Sequence, residues 1–348
     1  MKVVKKKVGI AGFGVVGKRR ANFIKNVKEL EVVAVCDQSF QGSGVLSNGV
    51  KCFSDYKELI KQDLDIIFVC ISNDMAAEVT ISGLESGFHV FCEKPPARNL
   101  SEIEEVLNCE RNHPNLRLKY GFNHRYHSSV KDALTIINSA DMGSVVNLRG
   151  VYGKSQLVTF GQDHDWRTSR EFAGGGILLD QGIHMVDLMR LFGGEFTKVH
   201  SIVSNSFWNH DVEDNAYALM KTDNDVVAML HSSATQWRHS FNLEVTLETG
   251  MIILSGILSG SKSYGNETLT IIRRLGDDRG DPTEEFREYN NDPSWEDEIR
   301  DFSDAIINNR KITEGNSDDA YKTMQLVYDI YCADVSWKGK WNLENNKG

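Results

Sequence analysis

The chain has 348 residues, enough for about two domains of ~150 residues each and for a core that needs no disulfides or metals. Hydrophobic residues make up 41% and charged residues 25%, the composition of an ordinary soluble globular protein. With 39 basic and 49 acidic residues the net charge is −10, which argues against a general nucleic-acid or anionic-membrane binder, since both need a basic surface.

In chain order, short apolar runs first alternate with helical patterns. Val8 to Ala11 reads as a strand, Lys18 to Lys28 as a helix, Val32 to Cys36 as a strand and Tyr56 to Lys61 as a short helix. Ile66 to Ile71 is a continuous apolar run, suited to a parallel strand covered on both faces. A helix over Met75 to Ser86, a strand over His89 to Cys92, a helix over Ser101 to Cys109 and a strand over Leu118 to Gly121 follow. This alternation predicts right-handed crossovers and a parallel sheet. After a helix near Ser129 to Asn138 the character changes. Strand patterns dominate at Val145 to Tyr152, Val199 to Asn205, Ala216 to Thr222, Val226 to Ala234, Leu243 to Glu248, Met251 to Leu254 and Thr268 to Arg273. Helices are expected over Gly176 to Phe192, Trp295 to Asn308 and Ser317 to Asp334, and Asp277 to Pro293 reads as an exposed polar loop. The fold class is α/β: a Rossmann domain over residues 1–122, then an α/β domain over 123–348 with a large open, mainly antiparallel sheet. The last helix is expected to pack back on the first domain.

The six cysteines (Cys36, Cys52, Cys70, Cys92, Cys109, Cys332) are scattered with no CxxC pair, so they read as small buried hydrophobes and no metal site is expected. The N-terminal MKVVKKKVGIAGFG mimics a secretory leader, but Gly9, Gly12, Gly14 and Gly17 break its apolar run and basic residues follow at once. No segment approaches the ~18 apolar residues of a membrane span. A cytoplasmic location is expected.

Gly12-Phe13-Gly14-Val15-Val16-Gly17 is a GxGxxG turn in the required context, after a strand and before a helix. Gly12 permits the tight turn, Gly14 lets the backbone approach a pyrophosphate, and Gly17 lets helix and strand pack closely. The N-terminus of the following helix offers N–H groups to the phosphates. Asp37 ends the second strand 20 residues past Gly17, where an acidic residue binds the ribose 2′-hydroxyl. A 2′-phosphate would meet a like charge there, so NAD is favoured over NADP.

Two further stretches carry chemistry. Glu93-Lys94-Pro95-Pro96 directly follows a strand whose carboxyl end faces the cofactor crevice. Lys94 reads either as an amine that polarises a substrate oxygen or as a solvated loop lysine. In Gly174-Gly175-Gly176-Ile177-Leu178-Leu179-Asp180-Gln181-Gly182-Ile183-His184-Met185-Val186-Asp187, Asp180 and His184 stand one helical turn apart. A histidine beside a carboxylate suits general acid–base work, with Asp187 as an orienting group; the alternative is a buried histidine satisfied by a neighbouring aspartate.

The GFGVVG turn, VCD, EKPPA, GFNHRY, DWR and GGGILLDQGIHMVDL together resemble the Gfo/Idh/MocA oxidoreductase family in order and spacing, from residue 8 to about 337. The resemblance implies an NAD(P)-dependent enzyme that moves a hydride to or from a secondary carbinol of a sugar, nucleotide sugar or inositol. It implies a catalytic set of Lys94, Asp180 and His184. It places Ile71, Ser72, Asn73, Glu93 and Asn123 beside the cofactor, and Arg125, Trp166 and Arg167 beside nicotinamide and substrate. Interdomain salt bridging is the alternative for the two arginines. Ser72 stands where the family often has proline, and Ala76 where it has a histidine. Gln236, Trp237 and Arg238 reach the pocket or serve packing. The rival readings are a non-catalytic NAD-binding regulator and an NAD-dependent glycoside hydrolase. An open sheet with helices on one face leaves the other face for pairing, so a homodimer or homotetramer is expected.

Overall fold

The computed structural model describes residues 5–158, 165–259, 262–276 and 279–344. They form two units, Met1–Asn123 with Trp295–Lys322, and His124–Ser294 with Thr323–Gly348.

The chain begins with β1 (Lys6–Ala11), α1 (Val15–Ile24), β2 (Leu30–Cys36), β3 (Gly44–Val45), β4 (Lys51–Phe53), α2 (Tyr56–Ile60), β5 (Ile66–Val69), α3 (Asn73–Glu85), β6 (His89–Cys92), α4 (Leu100–Arg111) and β7 (Leu118–Tyr120). It continues with α5 (Ser128–Ser139), β8 (Val145–Gly153), α6 (Arg170–Ala173), α7 (Ile183–Gly193), β9 (Phe196–Ser204), β10 (Asn215–Thr222), β11 (Val227–Ser233) and β12 (Ser240–Leu247). Then come β13 (Gly250–Ser255), β14 (Glu267–Arg273), β15 (Thr283–Tyr289), α8 (Ser294–Ile307), α9 (Ser317–Ala333) and α10 (Val335–Trp341).

In the first unit seven strands pair in the order β3-β4-β2-β1-β5-β6-β7. All neighbours are parallel except the short β3, which runs antiparallel at the edge. The order reverses between β1 and β5, the switch point at whose carboxyl edge such sheets bind ligands. Ile66 to Val69 are fully buried, as a strand covered on both faces requires. Phe68 and Phe91 stack at 4.8 Å, and Phe302 of α8 meets Phe91 edge-on at 5.6 Å. Ile299, Phe302 and Ile306 of α8 join Val8, Ile10, Phe68 and Phe91 in one core. Residues 295–322 thus belong to the first unit, and the last expected helix, Ser317 to Asp334, is α9, whose residues up to Lys322 fall in the first unit and from Thr323 in the second.

In the second unit eight strands pair in the order β15-β14-β13-β12-β8-β11-β10-β9. Only β8 and β11 are parallel; the other pairs are antiparallel. Helix α7 lies on one face, close enough that a Cβ on Gly150 of β8 would meet Met189 at 2.4 Å. Two expectations need correction. Within the expected loop Asp277 to Pro293, Thr283–Tyr289 is an edge strand paired with β14. Its Glu and Arg side chains hid it, although charge is how exposed edge strands avoid aggregation; Asp277 and Asp278 lie outside the described residues. The helix expected from Gly176 begins instead with a π-helical turn, Leu178–Gly182, that leads into α7.

Candidate active site

The glycine-rich turn is built as its spacing requires. Gly12 has φ +87°, and a Cβ there would lie 2.2 Å from the Cys70 carbonyl oxygen. A Cβ on Gly17 would lie 1.9 Å from the Gly12 carbonyl oxygen, so α1 packs against β1 only because that position is bare. Gly14 is different: nothing lies within 4 Å of the same position, so its backbone faces open space. Phe13 and Val16 are half-buried and Val15 is exposed. Helix α1 has ten residues, no acidic residue in its first turn and no side-chain cap. Its first N–H groups and dipole suit a pyrophosphate.

Asp37 directly follows β2 and faces this turn. Its Oδ2 accepts the Phe13 N–H at 2.8 Å, and its Oδ1 accepts the Ser39 N–H at 3.0 Å and hydroxyl at 2.6 Å. Burial alone would raise this carboxyl, but the bonds from Ser39 and Phe13 and the charge of Lys18 outweigh it and hold Asp37 below the usual carboxylate range. Asp37 therefore carries full negative charge at neutral pH and repels a 2′-phosphate. At the neighbouring strand end, Ile71 and Ser72 are half-buried and Asn73, buried, opens α3. The open Gly14 face, the uncapped α1 and the anionic Asp37 fit a nicotinamide dinucleotide.

Lys94 stands half-buried on the turn after β6, at the same carboxyl edge, with a cis peptide bond to Pro95. Glu93 before it accepts a hydrogen bond from Arg20 Nε at its Oε1, at 2.6 Å. Asn123 is buried in the 3-10 turn that follows β7.

In the second unit the glycines of the GGG segment have separate causes. Gly174 has φ +79°. A Cβ on Gly175 would meet the Tyr331 hydroxyl at 2.3 Å, and one on Gly176 the Glu213 carbonyl oxygen at 2.1 Å. The Glu213 carboxylate is wholly buried and accepts the N–H groups of Gly176 (2.8 Å) and Leu178 (3.0 Å) and the Tyr331 hydroxyl (2.6 Å). It fixes the start of the helix that carries Asp180 and His184. Asp180 lies in the π-helical turn, a feature common at functional sites. Its Oδ2 pairs with Lys154 Nζ from the end of β8 at 3.0 Å. The His184 ring stacks on His124 with centroids 3.7 Å apart and planes 13° apart. His124 Nε2 in turn meets the Tyr152 hydroxyl at 3.0 Å.

Asp187, offered by the sequence as an orienting group for His184, instead takes a bidentate bond from Arg125 (2.8 and 2.6 Å) and one from the Thr323 hydroxyl (3.2 Å). Arg125 is thus paired inside its own unit. Arg167 stacks on Trp166 at 4.4 Å and bonds Asp165, both residues half-buried. Trp237 is 64% exposed against Phe207, and Gln236 bonds Lys154 through the backbone. The sequence reading missed His124, Tyr152, Lys154 and Glu213. None carries a local signal, because their partners lie on other elements. Among the described residues no cluster of three or more His, Cys, Asp or Glu is arranged to hold a metal ion, and no helix is long and apolar enough to cross a membrane.

Comparison with known proteins gives the same architecture. Residues 6–122 match the model of the oxidoreductase family with an NAD-binding Rossmann fold, and residues 130–253 match the GFO/IDH/MocA C-terminal domain. An uncharacterised oxidoreductase of Bacillus subtilis, YrbE, is 28% identical over 65% of this chain and 66% of its own length. Inositol 2-dehydrogenase of Salmonella typhimurium is 25% identical over 73% of this chain and 75% of its own. D-glucoside 3-dehydrogenase of Escherichia coli is 28% identical over 65% and 70%. Among solved structures, levoglucosan dehydrogenase in complex with NADH superposes with a TM-score of 0.82 at 19% identity, covering 96% of this chain and 98% of that one. The chain belongs to the GFO/IDH/MocA family of NAD-binding oxidoreductases.

Proposed function

We propose that this protein is an NAD-dependent dehydrogenase acting on a secondary carbinol of a sugar or cyclitol, with Lys94, Asp180 and His184 as its catalytic residues. The observation that carries the reading is the position of Lys94: its turn leaves β6 at the carboxyl edge that also bears the Gly12–Gly17 turn and Asp37. The substrate class follows relatives named for inositol and D-glucoside oxidation.

Gly12, Gly14 and Gly17, with Asp37, would hold the dinucleotide, which when bound supplies the hydride acceptor. Lys94 Nζ donates a hydrogen bond to the substrate oxygen. His184 takes the hydroxyl proton at its imidazole, with the ring plane fixed by the stacked His124. Asp180, paired with Lys154, stands one helical turn before His184 and would favour the imidazole as it takes the proton. Arg125, Trp166 and Arg167 would contact the substrate.

The test is reduction of NAD, read by near-ultraviolet absorbance, across myo-inositol, levoglucosan, D-glucose and D-glucosides. Turnover with NAD exceeding that with NADP is expected. Bound NADH without turnover of any polyol would overturn the reading in favour of a regulator; cofactor retained through purification without NADH release would favour transient oxidation.

We further infer assembly through the helix-free face of the second sheet. Strand register brings Ile202 opposite Tyr217 and Leu219 opposite Met229. These four are 67%, 44%, 49% and 54% exposed and border a shallow groove of about 490 Å³. A second copy of this chain, pairing the same face, closes a dimer. All six thiols are free, which suits a reducing cytoplasm.

A further inference from the structure

We propose that Arg20 and Glu298 are positioning residues for the Lys94 turn, forming a buried bridge from helix α8 through the guanidinium to Glu93. The inference rests on reading Lys94 as the amine that faces the substrate.

Arg20 is wholly buried. Its Nε donates a hydrogen bond to Glu93 Oε1 at 2.6 Å, and its Nη2 forms an ion pair with Glu298 Oε2 at 2.7 Å. Its guanidinium carbon lies 4.4 Å from the Phe91 ring centroid and 4.3 Å from that of Trp295, so the plane is held between two aromatic faces. Phe91 is on β6, two residues before Glu93, and Trp295 is one turn before Glu298 on α8. The fork therefore grips the strand that ends in Lys94 and the helix beside it. Gly121 is bare where a Cβ would come within 2.8 Å of Glu93 Oε2 and 3.2 Å of Arg20 Nη2. The Glu93 N–H is bonded to the Val69 carbonyl at 2.9 Å, which pins the backbone as well.

The groups that face this bridge are Lys119 of β7, which pairs with Asp301 of α8 at 3.0 Å, and the thiol of Cys70. An ion cluster this deep is a poor source of stability, because desolvation of each charge opposes the mutual attraction. Apolar side chains would fill the space at less cost. What a guanidinium fork adds is fixed geometry between two carboxylates. Catalysis has use for that: a shift of ~1 Å at a reacting group lowers rate by about 100-fold.

Glu298→Met removes the acceptor at similar volume, and Ile306→Val is a core control on the same helix. Hydrogen exchange of peptide 92–98 and kcat on the best polyol of the panel are read together. Glu298→Met is expected to speed exchange at Glu93, Lys94 and Ala97 at least fivefold with β1 unchanged, and to lower kcat at least tenfold with KM within threefold. Ile306→Val is expected to do neither. Wild-type exchange in the turn, or wild-type kcat, overturns the proposal. If Glu298→Met does not fold, Arg20→Lys keeps the charge but cannot span both carboxylates, and carries the same expectation. Lys94→Ala run in parallel separates the two readings. Turnover by Lys94→Ala removes the role of Lys94, whereas an inactive Lys94→Ala beside a wild-type-like Glu298→Met removes only the bridge.

Discussion

At the scale of single residues, the chemistry assigned to Lys94 and His184 makes their loss costly. Each alanine variant is expected to lower kcat by at least ~100-fold, the usual scale for a group that assists proton transfer. Steady-state kinetics checks this, with NADH fluorescence confirming that His184→Ala still binds cofactor. Wild-type turnover by either variant would remove it from the mechanism. Asp37 does two jobs: it accepts the Phe13 N–H of the glycine-rich turn and carries the charge that disfavours a 2′-phosphate. Asp37→Asn keeps an acceptor and removes the charge, so the preference for NAD over NADP in kcat/KM should fall at least tenfold. An unchanged preference would mean that Asp37 does not choose the cofactor. The sequence singles out these positions because each sits in a short contiguous pattern. It does not single out His124, Lys154 and Glu213, since His124 meets His184 from 60 residues away and Glu213 meets Gly176 across 37.

At the scale of elements, the helix bearing Asp180 and His184 depends on backbone contact at its start. A Cβ on Gly176 would lie 2.1 Å from the Glu213 carbonyl oxygen, a backbone atom with little freedom to retreat. Gly176→Ala is expected to destabilise the fold by about 2–3 kcal/mol, within the cost of overpacking, and Gly14→Ala, which meets nothing, far less. Thermal unfolding of both variants checks the contrast. Helix α8 carries a second expectation. Burial pushes the Glu298 carboxyl up from 4.5 to about 7 despite the pull of Arg20 and Lys119. A carboxyl whose folded value is raised binds its proton more tightly in the native state. Its contribution to stability is complete below 4.5 and is lost as pH rises through about 7. Glu298→Gln, which cannot ionise, should therefore gain in Tm relative to wild type between those pH values. A constant difference in Tm would show that Glu298 titrates normally. The parallel strands were readable as apolar runs because both their faces are buried. The charged β15 was not, and the amphipathic pattern of α8 shows that it has a buried face without saying which sheet receives it.

For the whole molecule, the order of elements was legible but the division of the chain was not. The first unit is completed by residues 295–322, far along the sequence, because Ile299, Phe302 and Ile306 share a core with β1, β5 and β6. Local patterning marks such residues as buried and is silent about their partners. The same limit applies to surfaces that await a partner. On β9, β10 and β11 the outward positions hold Ile202, Tyr217, Leu219 and Met229, where a solvated sheet face would carry polar side chains. Tyr217 and His231 stack at 4.2 Å on this face, adding a flat aromatic surface. If two copies pair these faces, a charge at the centre must be desolvated against its own symmetry mate. Leu219 lies opposite Met229 in the register and is 49% exposed, so Leu219→Glu should leave the isolated chain folded. Light scattering at micromolar concentration should then show wild type as a dimer or tetramer and Leu219→Glu as a smaller species, with the same far-ultraviolet circular dichroism. A wild type that is monomeric, or a Leu219→Glu variant of unchanged mass, would mean that this apolar face serves some contact other than self-assembly.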